Sequence, residues 1–307
     1  MNPRKSESGQ AVVLMVLALT VILGMAALVL DVGAWFRTDR RLQATADAAA
    51  LAGAQKLPTD PSGAKTLALN YADQNGGSVL AADITVTSTY APNDTISVRA
   101  AKTEQGSFSK VVGINGANIK ADAKARVDSP LQARYVAPMV VYCDHPLIKN
   151  CNGGHTPTFE TDTTMDFDKM GAPGAFGMLN LDGGNGTPGA NEEGDWIQYG
   201  FDKYLPLGLY RSDPGAKFGS ANVQNALTAR IGTVLLFPVF KTLTGNGQNA
   251  EYDIIGWIGF RLSSFTVQGN TATLNGVFTE YIAQGLLNQS GSNSNPSFGV
   301  RSIQLIG

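Results

Sequence analysis

Four residues whose types could do chemistry sit within thirteen positions: Cys143, His145, Cys151 and His155, in CDHPLIKNC followed by NGGH. Thiolate and imidazole are the usual zinc ligands, and four of them would complete a closed tetrahedral site. The spacing matches no common zinc finger, and a Cys-x-His start is unusual for one. In an oxidising compartment the two cysteines pair with each other and close a short loop. The expected state is therefore a Cys143–Cys151 disulfide, with the two histidines as plain loop residues. Zinc held by all four residues and a pair of free thiols are the alternatives.

A second candidate is the acidic stretch LDGGNGTPGANEEGD, where Asp182, Asn185, Glu192, Glu193 and Asp195 could offer oxygens to calcium. It lacks the twelve-residue pattern with a closing glutamate that defines a calcium loop, so a surface loop is expected. The chain contains no G-x-S-x-G, no phosphate-binding GK-[ST], no HExxH and no Cys-x-x-Cys. Both of its histidines lie beside the cysteines, which leaves no imidazole for a nucleophile elsewhere. The expectation is a protein without catalytic residues and without a cofactor. Charged residues make up 16% of the 307, and the net charge is −2. That balance has no electrostatic footprint for nucleic acid.

The elements that must position any site begin with the N-terminus. From Ala11 to Leu30 runs AVVLMVLALTVILGMAALVL, without a charge. Its length meets the roughly 20 residues that a helix needs to cross about 30 Å of hydrocarbon. Asp31 ends the run, and Trp35 and Phe36 suit a headgroup layer. A cleaved secretory signal has a shorter apolar region and a small-residue cleavage site, whereas here the helical pattern continues. Arg4 and Lys5 stand before the span and Arg37, Arg40 and Arg41 after it, so charge alone does not orient it.

Beyond Asp31 the pattern reaches ATADAAALAGA, in which seven of eleven residues are alanine, the best helix former. At helical spacing Leu42, Ala46, Ala49 and Gly53 form one stripe of mostly small side chains, which lets another backbone approach closely. The stripe packs either on the protein's own globular part or on neighbouring subunits. These residues carry a resemblance. The run from GQA through the apolar span, the DVG that ends it and RLQATADAAALAGA resembles the N-terminus of TadE/TadG-like proteins of Tad (Flp) pilus assembly. The resemblance implies a bacterial envelope protein, its N-terminus cytoplasmic and the rest extracytoplasmic. It implies other pilus assembly proteins or pilins as partners. Two departures stand out. Prepilin processing after Gly9 would call for Glu at the fifth following residue, where Leu14 stands. The Asp-x-Ser-x-Ser metal motif of the TadG branch with a von Willebrand A domain is missing, so that domain is not expected.

The remaining chain alternates elements. PSGAKTLALNYADQNGG places Ala64, Leu67, Ala68, Tyr71 and Ala72 on one helical face. DITVTSTY and TISVRAAK alternate around APND as a hairpin, SFSKVVGI suggests a short helix, and NIKADAKARV is a strand. In that strand Lys120, Asp122, Lys124 and Arg126 should form the solvated face. After SPLQARYVAP, apolar runs such as GTVLLFPVF and EYDIIGWIGFRLSSFTVQG argue for a β-rich domain.

The expected fold class is α+β. A membrane anchor with an extended helix spans 1–56, a small α/β unit 57–128, a linker 129–138, and a β-rich extracytoplasmic domain 139–307. The expected function is that of a structural or assembly component of a Tad pilus. It would be membrane-bound, contact proteins, and take no nucleic acid or small-molecule substrate. The competing readings are a membrane-tethered cell-surface binding module and a metal-dependent envelope enzyme centred on the Cys/His cluster.

Overall fold

The computed structural model describes residues 8–167, 177–183, 188–213, 217–287 and 295–306. Asn185 and the NQSGSNS segment lie outside them. The chain divides into two compact units, one of residues 1–126 with 305–307, the other of residues 127–304. The class is mixed α+β, with a long N-terminal helix first and a sheet-rich region last.

In the first unit α1 is a single helix, Ser8–Ala54, of 47 residues. At 1.5 Å per residue it is about 70 Å long. No proline interrupts it, and its interior glycines, Gly24, Gly33 and Gly53, cost propensity without breaking it, while Gly9 stands in its first turn. Its environment changes along its length. The large side chains between Val12 and Leu30 are exposed, whereas Leu42, Ala46, Ala49, Ala50 and Ala54 are buried. The buried end packs on α2 (Pro61–Gln74) and on a strand of the following sheet.

Helix α2 starts with Asp60 as N-cap, its carboxylate accepting from Gly63 N at 2.8 Å, and with proline in its first turn. Its buried side chains are Ala64, Ala68 and Ala72, while Tyr71 is exposed. The face is thus narrower than the sequence pattern suggested, because two stripes of small residues meet and larger side chains are pushed to the edges. Strands β1 (Val79–Thr87), β2 (Thr95–Gln105) and β3 (Gly116–Asp128) then form an antiparallel sheet in that order. A 3-10 turn, Ser109–Val112, lies between β2 and β3. On β3 the odd positions from Ala121 are buried and Lys120, Asp122 and Lys124 are exposed, as the alternation predicts. Arg126 departs from it. It is buried, with its guanidinium 4.8 Å from the centre of the Tyr90 ring, where the aromatic face replaces water.

The second unit is built around a mixed sheet. Its strands are β4 (Gln132–Ala133), β5 (Val141–Tyr142), β6 (Asp162–Phe167), β7 (Leu205–Pro206), β8 (Gly208–Arg211), β9 (Val234–Thr244), β10 (Glu251–Gln268), β11 (Thr271–Thr279), β12 (Tyr281–Ile282), β13 (Gly285–Leu286) and β14 (Val300–Ile306). The main sheet runs β5-β9-β10-β11-β6, with β8 also pairing with β10. Small sheets pair β13-β4-β7, and β12 runs parallel to β14. Alternate side chains of β9 and β10 enter different cores. Phe237, Ile258, Phe260 and Leu262 join one cluster, and Leu236, Phe240, Tyr252 and Trp257 the other. A strand covered on both faces reads as a continuous apolar run, which is why GTVLLFPVF and DIIGWIGF show little alternation. Gly256 is required here: a Cβ on it would meet the Phe298 ring at 2.4 Å.

Two helices interrupt this region, α3 (Ala190–Tyr199) and α4 (Ala221–Arg230). Helix α3 takes up the NEEGD expected as loop. Its start follows Pro188 and Gly189 and carries Glu192 and Glu193 in the first turn, which are helix-start signals. The surrounding glycines and asparagines masked them.

Candidate functional site

The small-residue stripe of α1 is enclosed within the first unit. Leu42, Ala46 and Ala49 are buried, and Gly53 sits where no side chain fits. A Cβ on Gly53 would stand 2.5 Å from Ile96 Cδ1, 2.8 Å from the Ala64 carbonyl and 3.0 Å from Ala68 Cβ. Thr45, on the same face, donates from Oγ1 to the Asn75 carbonyl at 2.7 Å. The stripe's work is therefore internal: it lets α1 approach α2 and β2 at backbone distance.

Where the apolar run ends, Asp31 is buried. Its carboxylate accepts three backbone N–H groups from the turn after β2: Ser107 at 3.1 Å, Phe108 at 2.8 Å and Ser109 at 2.6 Å. Charge-assisted bonds of this kind are the stronger class of hydrogen bond. They tie the turn to the helix at its transition from exposed to buried. From sequence Asp31 was only the residue that closed the span. The turn that satisfies it comes 76 positions later, beyond the reach of any local pattern.

Cys143 and Cys151 form a disulfide with 4.9 Å between their Cα atoms. Both sulfurs are consumed by it, so neither is a thiolate that could hold zinc. Asn150 is buried inside this loop and donates from Nδ2 to the Ser297 carbonyl at 2.8 Å, while its Oδ1 accepts from His155 N. The His145 ring meets Phe278 edge-on at 5.1 Å, and burial lowers its pKa. A lowered pKa keeps the ring neutral, in keeping with a packing role. Among the described residues no three His, Cys, Asp or Glu side chains gather closely enough for a metal ion.

Of the acidic stretch, Glu192 and Asp195 are exposed on α3 and Glu193 is fully buried, so helical geometry sends them in different directions. Glu193 instead belongs to an ion cluster that sequence reasoning missed. Lys217 Nζ lies 2.9 Å from Glu193 Oε1 and 2.5 Å from Asp213 Oδ2, and both carboxylates are inaccessible to solvent. Burial, and next the neighbouring Asp213 carboxylate, push Glu193 up to about 9, against the pull of Lys217. Burial alone would lower Lys217, but its bonds to the two carboxylates hold it above the ordinary lysine value. At neutral pH the ammonium is thus balanced by one carboxylate, and Glu193 keeps its proton. The cluster joins α3 to the chain after β8, a structural task.

Comparison with known families places the N-terminal segment. Residues 9–56 match the family described as putative Flp pilus-assembly TadE/G-like. The matched residues coincide with α1 and the two positions that follow it. No curated protein and no solved structure matches the chain.

Proposed function

We propose that this chain is a membrane-anchored structural or assembly component of a Tad (Flp) pilus or a related secretion system, acting through protein–protein contacts and not through catalysis. The observation that carries the reading is the coincidence of the TadE/G-like match with α1. The helix itself supports the anchor, since its Ala11–Leu30 half is uncharged and its large side chains are exposed. In this reading that half crosses the membrane once, with the N-terminus cytoplasmic and both folded units outside. The disulfide suits an oxidising envelope. Partners are other assembly proteins or pilins. They meet the outer surfaces of the units, because the small-residue stripe is already occupied by α2 and β2.

The test is a count of surface pili in cells with the gene deleted, beside a complemented control. Loss of pili restored by the gene supports the reading, and unchanged pili remove it. Ala49→Leu sharpens the test. Overpacking a fully buried site should cost about 1–3 kcal/mol of unit stability. Assembly should then fail in proportion to folded protein at the membrane, measured by limited proteolysis. Undiminished folded protein with assembly abolished would instead assign the stripe to a partner.

A further inference from the structure

The turn held by Asp31 lies alongside the apolar half of α1 and not beyond its end. Phe108 and Ser109 line a groove of about 370 Å³ together with Val21, Gly24, Met25 and Leu28. Those helix residues sit two to nine positions before Leu30, which at 1.5 Å per residue is roughly 3–14 Å inside the end of the span. Phe108 is 48% exposed and Ile114 45%, an unusual display for two large apolar side chains on one short turn. Gly24 keeps the groove open, with nothing within 4 Å of where its Cβ would stand.

We propose that the turn Gly106–Ile114 is seated in the lipid leaflet nearest the first unit, with Phe108 immersed and a phospholipid acyl chain occupying the groove. This rests on the reading of Ala11–Leu30 as a membrane span. Continuity with that span selects lipid as the occupant, since the same helix face lines the groove and meets hydrocarbon on either side. Six of the turn's backbone N–H groups are bonded within the protein, as such a site demands. Irregular backbone at membrane depth must find its hydrogen bonds within the protein. Ser107, Phe108 and Ser109 donate to Asp31, Gly106 N to the Asn115 carbonyl, Gly113 N to the Lys110 carbonyl and Ile114 N to the Ser109 carbonyl. Ser109 Oγ is turned inward as well, onto the Ile114 carbonyl at 3.0 Å. Lys110, the exposed cation of the turn, has a stem long enough to reach the headgroups.

The experiment uses the full-length chain in vesicles of phosphatidylcholine and phosphatidylglycerol. One introduced cysteine carries an environment-sensitive fluorophore, the native pair being locked in the disulfide. Three variants are compared: Leu19→Cys in the span, Phe108→Cys in the turn and Asp73→Cys on the exposed face of α2. Lipids brominated near the headgroup should quench the label at 108, lipids brominated deep in the chain the label at 19, and neither the label at 73. Quenching at 19 without quenching or a blue shift at 108 overturns the seated turn and leaves the anchor standing. No quenching at 19 removes the anchor reading and the proposal with it.

Discussion

The two units bury carboxylates by opposite means. In the first, Asp94 and Asp31 are satisfied by backbone. Asp94 accepts from Thr89, Tyr90 and Ala91 N–H at 2.7–2.9 Å and from Thr95 Oγ1, holding the turn of the β1–β2 hairpin. In the second, Glu193 and Asp213 share a side-chain cation. Backbone donors are fixed by the fold and favour the ionised form. Although burial works against it, these bonds leave Asp94 below the ordinary aspartate value. Around the shared ammonium, burial and then the neighbouring Asp213 carboxylate raise Glu193, which keeps its proton. The difference teaches that a buried acid's charge state follows from the number and rigidity of its donors, and burial depth decides it only when donors run short.

Removing the shared cation should have the largest effect. Lys217→Met removes the ammonium that the two buried carboxyl groups share, and breaking a buried pair in this way costs about 3–5 kcal/mol. The chain in detergent should show an earlier transition of the second unit, read by the fluorescence of Trp196 and Trp257. An unshifted transition would mean that water already screens the cluster, and the contrast between the units would vanish.

Asp94→Ala comes next. It orphans three backbone donors at a tight turn, and a hydrogen bond to a charged group contributes about 1.5–3 kcal/mol net. Because the turn is near the surface, a net loss of about 2 kcal/mol confined to the first unit is expected. The pH sign follows from the lowered pKa. Stability from Asp94 is complete above the unfolded-state value near 4 and is lost as pH falls below it through the lower folded-state value. Hydrogen exchange of β1 and β2 amides between pH 6 and pH 3 checks this, with the Asp94→Ala variant losing the dependence. Equal dependence in both proteins would assign the acid sensitivity to another group.

Much of the first unit was legible in the sequence because its signals are local. An uncharged run of twenty residues, an alanine-rich continuation, one hairpin and one alternating strand each need only neighbours to be recognised. The class of the second unit was legible for a similar reason, since long apolar runs in β9 and β10 report strands covered on both faces. Helix α3 was hidden because glycine and asparagine around NEEGD read as loop, while the burial that makes it a helix comes from α4 and the sheet. The Glu193–Asp213–Lys217 cluster was hidden for a stronger reason. Three ordinary surface-type residues become a site only when the fold places them together, and no spacing announces that. Asp31 sits between these cases: its position at the end of the span was plain, and its three donors were not.

The smallest effect at acid pH, and the sharpest discrimination, should come from Glu193→Gln. At and below pH 4.5 the wild-type side chain carries its proton in both the folded and the unfolded chain, so an amide of the same shape changes little there, within about 1 kcal/mol. The difference lies in the slope. Glu193 moves from an ordinary value of 4.5 up to about 9 on folding, so the folded state keeps a proton that the unfolded chain releases between those values. Its contribution is therefore complete below pH 4.5 and is lost progressively as pH rises toward 9, at a limiting rate of about 1.4 kcal/mol per pH unit. Denaturant midpoints of the second unit measured from pH 5 to pH 9 should fall in the wild type and stay nearly level in Glu193→Gln. The first unit should not follow, because its buried hairpin carboxylate loses its contribution at the acid end instead. A wild-type midpoint that is level across that range would place the proton elsewhere. It would mean that Lys217 balances both carboxylates as ions, and that side-chain and backbone donors stabilise buried acids in the same way.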